Sequence, residues 1–333
     1  MKSWRGFIAA GLLFAGLLAG CGGKEDNQSA VTGSGSPAPV ASSAAQAADS
    51  GTGQKAAWPR TYKDGLNKEV VIEKQPQKIA VLHFGYVEYL LALGVDPYAA
   101  AQLSTVEKFE TLKPYPQMAS ITDVGQVMSP NLEKLVELQP DLIIAGTGIH
   151  DKAYDSLSKI STVVYKKNYG SWKETLNDYA QLLGKEAEAE SLVQKTEQVI
   201  KETREKLAKY QDKTFVFLRP SSKGAFGVVG SKVYIHYHDK ENGFGLKTPA
   251  NYPENWADIS LETVSEMNPD YIFFQDDVNN CKALVDTMSA NSVWKSIAAV
   301  RDGNIHYLDL SLNTASPLAI QLAAEEIVKS LEK

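Results

Sequence analysis

Residues 129–144, SPNLEKLVELQPDLII, return in altered form at residues 260–274, SLETVSEMNPDYIFF. Glu262 follows Glu133, and Pro269 follows Pro140, by the same interval of 129 residues. Each copy opens on a good N-cap residue, Asn131 or Ser260, and places a glutamate in the first helical turn. There the helix dipole favours a carboxylate by about 0.3–1 kcal/mol. Pro-Asp then breaks the helix and turns the chain into an apolar run, as proline and aspartate do at helix ends. A chain that carries one helix–turn–strand unit twice, far apart, is expected to fold into two lobes of the same build.

Working outward from the first copy, residues 69–72, 78–83, 142–145 and 162–165 read as strands, and residues 87–93 as a helix closed by Gly94. Around the second copy, residues 214–218, 227–229, 271–274 and 305–308 read as strands, with a closing helix near residues 315–331. Alternating short strands and helices predict an α/β fold with mostly parallel sheets. Between the two sets, residues 172–183 are helical and Gly184 interrupts them. Residues 185 to about 210 contain neither Gly nor Pro, and their apolar positions, among them Leu192, Val199 and Leu207, are sparse in a Glu/Lys/Gln surface. That pattern predicts one long, largely solvent-facing helix, too sparse in apolar residues for a coiled-coil seam.

The N-terminus is organised differently. Lys2 and Arg5 precede an apolar stretch over residues 7–18, too short for a membrane span and laid out like a signal peptide. It ends in Leu18-Ala19-Gly20-Cys21, which resembles the bacterial lipoprotein processing box, where the cysteine thiol takes a diacylglyceryl group. Two or more acyl chains hold a protein stably at a membrane. Residues 22–57 are Gly, Ser, Ala, Pro, Gln and Thr with few large apolar side chains, the composition of a flexible tether. The expected organisation is a signal peptide (1–20), a lipidated Cys21 with its linker (21–57), a first lobe (58–184), a connecting helix (185–211) and a second lobe (212–333). With Cys21 lipidated, Cys281 has no partner for an intrachain disulfide.

The bulk composition excludes several functions. Of 333 residues, 34 are basic and 40 acidic, for a net charge of −6, so there is no electrostatic footprint for nucleic acid. There is no Gly-x-Ser-x-Gly elbow, P-loop, His-Glu-x-x-His pair or dinucleotide glycine fingerprint, which argues against catalysis. Gly146-Thr147-Gly148 reads as a plain turn.

The two-lobe plan, the strand after Pro-Asp and the run Val293-Trp294-Lys295-Ser296-Ile297-Ala298-Ala299-Val300 before Ile305-His306-Tyr307 together resemble one family. It is the substrate-binding lipoproteins of ferric-siderophore and vitamin B12 ABC importers, whose two Rossmann-like lobes are joined by a single long helix. Trp172-Lys173-Glu174, Gln181-Leu182-Leu183-Gly184-Lys185 and Gly245-Leu246-Lys247 resemble its Gram-positive siderophore receptors. The resemblance covers residues 71 to the C-terminus. It implies a non-enzymatic monomer that needs no intrinsic cofactor and captures an iron(III)–siderophore complex at the outer face of the cytoplasmic membrane.

The same resemblance implies an ABC permease and its ATPase as partners, with Glu133 and Glu262 docking on permease arginines. Carboxylate–guanidinium pairs are directional, so one on each lobe would fix the orientation. Its ligand lies between the lobes. Candidates are His83, Phe84, Tyr86, residues 102–108 with Lys108, and Gln126 from the first lobe, and Arg219, Phe226, Tyr234, His236 and Trp256 from the second. Arg219 matches a ligand-binding arginine of the resembled subgroup. At residues 125–128 the chain reads Gly-Gln-Val-Met, without the lysine that catecholate-binding relatives place there. That departure puts a triply charged catecholate complex in doubt and leaves a hydroxamate, a citrate-type complex or another lower-charge chelate at least as well supported. The alternatives are haem, cobalamin or direct metal binding, the last because His236 and His238 would share a face on a strand.

Overall fold

The computed structural model describes residues 57–167, 171–221 and 226–332. The signal-like segment, Cys21 and nearly all of the polar tether lie outside the described residues. The first lobe begins with an antiparallel hairpin of β1 (Arg60–Lys63) and β2 (Glu69–Ile72). There follow β3 (Ile79–Val81), β4 (Ala99–Ala100), β5 (Thr122–Asp123), the small hairpin β6 (Gly125–Gln126) and β7 (Ser129–Pro130), β8 (Leu142–Gly146) and β9 (Val163–Lys166). Five of these form a parallel sheet in the order β5-β4-β3-β8-β9.

The second lobe contains β10 (Phe215–Pro220), β11 (Phe226–Val228), β12 (Ala257–Ile259), β13 (Tyr271–Gln275) and β14 (Ile305–Leu308). Its sheet runs β12-β11-β10-β13-β14, the same winding order as the first. The expectation of mostly parallel sheets holds fully only in the first lobe. In the second, β11 and β12 are antiparallel additions at one edge, because β10 returns directly into β11 without a crossover helix.

Period-2 alternation decides how the sheets are buried. In β3 and β8, Ala80, Ile143 and Ala145 enter a cluster confined to the first lobe, while Ile79, Val81, Leu142 and Ile144 face the opposite way. In β10 and β13, Val216, Leu218, Ile272 and Phe274 enter a cluster of the second lobe, while Phe215, Phe217 and Phe273 face the other side. The residues on those second faces belong to one continuous apolar core that runs through both lobes. Both faces of each sheet are thus covered, as parallel sheets require.

The lobes are joined by the helix Glu186–Leu207, continued by a short 3-10 turn at Ala208–Tyr210. Its buried residues Ala189, Thr196, Ile200, Thr203 and Leu207 form one stripe, and the remaining faces meet solvent, as its sparse apolar pattern predicts. The closing helix, Pro317–Leu331, follows the second sheet but packs along this linking helix and against the first-lobe helix Tyr86–Ala92. That packing is how the shared core closes.

Candidate functional site: an aromatic cavity between the lobes

In both sheets the chain winds away in opposite directions from the first central strand, β3 or β10. In such sheets the crevice beyond the strands' carboxyl ends, at the reversal point, is where ligands bind. A cavity of about 550 Å³ occupies that position, within the usual size range of small-molecule sites. From the first lobe it is lined by the turn after β3 (His83, Phe84, Gly85, Tyr86), by Tyr89 one turn further along, and by Lys167 directly after β9. The helix Trp172–Leu183 adds Trp172, Thr175 and Tyr179. From the second lobe come residues 233–236, Trp256 and residues 313–315.

The wall is an aromatic network. His83 stacks on Phe84 at 4.5 Å between ring centroids and lies 4.9 Å from Tyr86. Tyr89 stacks on Tyr179 at 5.2 Å. Across the cavity, Tyr234 stacks on His236 at 5.6 Å and meets Trp256 edge-on at 5.5 Å. Gly146, at the end of β8, makes room for this arrangement: a Cβ there would lie 2.9 Å from the Tyr86 hydroxyl. The glycine of the lone Gly-x-Gly is therefore a packing requirement of the cavity.

Both cavity histidines are neutral at physiological pH. Burial, with His150 adding repulsion, lowers His83 to about 4. Burial, with His238 adding to it, lowers His236 to about 3. Three polar atoms in the wall are buried without a hydrogen-bond partner: the Tyr179 hydroxyl, His236 Nε2 and Asn313 Nδ2. Asn313 Oδ1 accepts from Gln275 Nε2 at 3.0 Å, which fixes the amide and leaves Nδ2 unpaired. Buried polar groups are nearly always satisfied, which makes these three, beside the cavity, candidate ligand contacts.

Among the described residues, positive charge is sparing. Lys167 lines the cavity, and Lys166 lies behind it, buried with Asp178 and with its Nζ 4.0 Å from the Tyr179 ring centroid. Burial lowers Lys166 to about 8, against the opposing pull of Asp178. Arg219, at the carboxyl end of β10, pairs with Asp276 at 2.8 Å and sits 5.7 Å from the Trp256 ring centroid. It lines an adjoining depression that shares Trp256 with the main cavity. Among the described residues, no acidic side chain lines the main cavity.

The structure therefore brings together His83, Phe84, Tyr86, Tyr234, His236 and Trp256, with Arg219 at the rim. Three other expected residues do not line the cavity. Phe226 is fully buried in the second lobe's own core against Trp294 and Phe274. Gln126 is exposed on the β6–β7 hairpin, and Lys108 is exposed beyond residues 102–107. His236 and His238 lie on a short helix, Ile235–His238, not on a strand. Two residues apart on a helix do not share a face. His238 instead bonds the Leu246 carbonyl through Nδ1 and packs edge-on to Phe217.

Tyr89, Lys167, Trp172, Thr175, Tyr179 and residues 313–315 were not anticipated. Lys167 had a signal, because it directly follows a strand of the parallel sheet. Trp172 and Tyr179, seven residues apart on one helix, share the buried face. Residues 313–315 had none, since only the closing helix's docking brings them there.

A family model described as Periplasmic binding protein matches residues 79–312. The chain belongs to that family. It is a solute-binding protein of the ABC-importer kind, not an enzyme. It is 34% identical over 272 residues to the "Iron-uptake system-binding protein" of Bacillus subtilis, covering 76% of this chain and 80% of that protein. It is 28% identical over 247 residues to the "Fe(3+)-citrate-binding protein" of the same organism, covering 72% of this chain and 76% of the relative. Among solved structures, it resembles a triscatecholate siderophore binding protein from Bacillus subtilis complexed with ferri-bacillibactin. The TM-score is 0.69 with 26% identity, covering 82% of this chain and 98% of the other. Other Bacillus subtilis relatives are named as substrate-binding lipoproteins of ABC transporters. Among the described residues no helix is long and apolar enough to cross a membrane.

Proposed function

We propose that this chain captures an iron(III)–siderophore complex of low net charge outside the cell and delivers it to an ABC permease and its ATPase. The observation that carries the reading is the cavity wall: aromatic rings, neutral histidines, one exposed ammonium and three polar atoms without partners. Such a wall suits a chelate that offers flat, partly aromatic or alkyl surface and a few hydrogen-bonding groups. Among the described residues, Lys167 and a guanidinium already paired with Asp276 offer less positive charge than a triply anionic complex would need. The relatives' printed ligands, Fe(3+)-citrate and a triscatecholate siderophore among them, support the class.

The chain acts as a monomer tethered by a lipid on Cys21, with residues 22–57 as the tether, lobes at 58–184 and 212–333, and the helix of residues 185–211 between them. Glu133 and Glu262, both exposed in the first turns of their helices, meet permease arginines, one on each lobe. Because one core runs through both lobes, binding proceeds with modest closure.

Titration of intrinsic fluorescence with ferric catecholate, hydroxamate and citrate complexes tests the ligand class. Trp172 and Trp256 line the cavity, whereas Trp294 lies in the second lobe's core. A bound ferric chelate should quench the first two, and Trp172→Phe with Trp256→Phe should remove most of the signal. Absence of quenching across the panel would overturn the reading.

A further inference from the structure

Glu88 is fully buried, on the helix Tyr86–Ala92, and takes no part in the cavity lining. Its two carboxylate oxygens face different parts of the molecule. Oε1 accepts from the Thr111 hydroxyl of the first lobe. Oε2 accepts from the hydroxyls of Thr314 and Ser316, the latter at 2.7 Å, in the strap that leads from the second sheet into the closing helix. Ser316 is also that helix's N-cap, its Oγ accepting from Ala319 N at 3.0 Å.

The strap contributes Asn313, Thr314 and Ala315 to the cavity wall. Ala315 sits in the left-handed region at φ 51°, a conformation that alanine adopts only when its surroundings impose it. Its carbonyl accepts from the Tyr89 hydroxyl at 3.2 Å, and its neighbours on both sides are held by Glu88. One buried carboxylate thus fastens a wall of the cavity to the helix that supplies the opposite wall's Tyr86 and Tyr89.

We propose that Glu88 is a positioning residue for ligand capture: its carboxylate clasps the strap to the first lobe, and protonation loosens the clasp. The capture role rests on the receptor reading above. The ionised carboxylate accepts from all three hydroxyls in charge-assisted bonds. Once a proton from solvent occupies one oxygen, a hydroxyl must turn away, and Thr314 has a second acceptor ready in the Ser311 carbonyl at 3.0 Å. Burial raises Glu88 to about 7, against the lowering effect of the three hydroxyls, with Asp309 adding repulsion. Asp309 is the charged group that acts on it, Tyr89 and Tyr115 feel its charge, and Glu326 and Glu110 act on each other and with Asp309. No ion pair among the described residues includes Glu88.

Two readouts test this on the mature protein. The first is amide hydrogen exchange of residues 313–320, corrected for intrinsic rates, at pH 8 and pH 6. Wild type should lose protection about tenfold at the lower pH, and Glu88→Gln should show the low value at both. Thr111→Val removes one donor to the carboxylate, so the midpoint of the wild-type transition should move to higher pH. The second readout is affinity for two probes, ferric citrate and a neutral ferric tris-hydroxamate. Glu88→Gln should bind whichever wild type binds about tenfold more weakly at pH 8 and match it at pH 6. Equal strap protection at pH 8 in wild type and Glu88→Gln overturns the clasp, and equal affinity at pH 8 overturns its role in capture. If wild type binds no chelate of the wider panel, the receptor reading and the capture role fall together, and strap exchange still decides the clasp.

Discussion

The two copies of the repeated unit agree in their framework and differ on their outer face. In the first, Asn131 Oδ1 accepts from Lys134 N at 2.9 Å, and in the second, Ser260 Oγ accepts from Thr263 N at 3.2 Å. Both helices are seven residues long and end on a left-handed residue, Gln139 at φ 47° and Asn268 at φ 41°. Glu133 matches Glu262, and Glu137 matches Glu266, all exposed. Yet Val136, 57% exposed, stands where the second copy has Ser265. Met128, 77% exposed on the hairpin before the first helix, stands where the second has Ala257. What recurs is capping, turning and one acidic position. What changes is the surface around it, so two lobes of one build present unequal faces.

The largest test of this comparison is transport. Glu133→Ala combined with Glu262→Ala should abolish uptake while leaving chelate affinity unchanged, since neither residue lines the cavity. Each single variant should retain measurable uptake, because one carboxylate–guanidinium contact remains to orient the complex. Wild-type uptake by the double variant would reduce both glutamates to helix-dipole partners.

The repeat was legible in the sequence because its parts are local: a cap, a stripe, a break and a strand. Long-range contacts hid the rest. Pro-Asp reads as punctuation, but Asp141 accepts from the backbone amides of Gln77 and Lys78 at the entrance to β3, and Asp270 accepts from Thr214 N at the entrance to β10. Each aspartate therefore ties two strands that are neighbours in the sheet. Phe226 was misplaced because an aromatic at a strand start looks the same whether it faces a core or a cleft. His236 lines the cavity from a helix where a strand was expected, because a run of Tyr and His carries no strand or helix period. The closing helix was legible in extent, but its docking on the first lobe, which delivers residues 313–315 and the Glu88 bonds, was not.

Acid should bear unequally on the two lobes. His83, His236 and His238 are lowered by burial to about 4, 3 and 4. Below the ordinary histidine value the unfolded chain takes up protons that the fold refuses, so stability falls as pH drops from about 6.5. Burial raises Glu88 and Glu326 to about 7, so the fold holds protons that the unfolded chain releases above about 4.5, and stability falls as pH rises through that range. Three histidines oppose two carboxyls, which places the maximum at about pH 6 to 6.5, with a net fall on the acid side. Thermal melts across pH 4.5–8 check this. Two of the three histidines lie on the second-lobe helix Ile235–His238, and His236→Phe should remove about one proton from the acid slope. Lys166, lowered by burial to about 8, adds stability as pH rises through 8, so the carboxyls are tested below that: a melting temperature that keeps rising from pH 6.5 to 7 would contradict their assignment.

The smallest expected effect concerns the two aspartates. Removing the carboxylate from Asp141 leaves two amides to find water, and removing it from Asp270 leaves one amide, the Thr214 hydroxyl and Lys213. Each Asp→Ala change should cost about 1–3 kcal/mol in denaturant unfolding, since both sites are partly solvated. The informative feature is the shape of the transition. Two lobes with separate cores would unfold in two steps once either was weakened. Here Ile79, Leu142, Phe215 and Phe273 belong to one core, so Asp141→Ala and Asp270→Ala should each shift a single transition seen alike by circular dichroism and tryptophan fluorescence. A split curve in either variant would show that the likeness of the lobes extends to independent stability, and that the shared core is not what joins them.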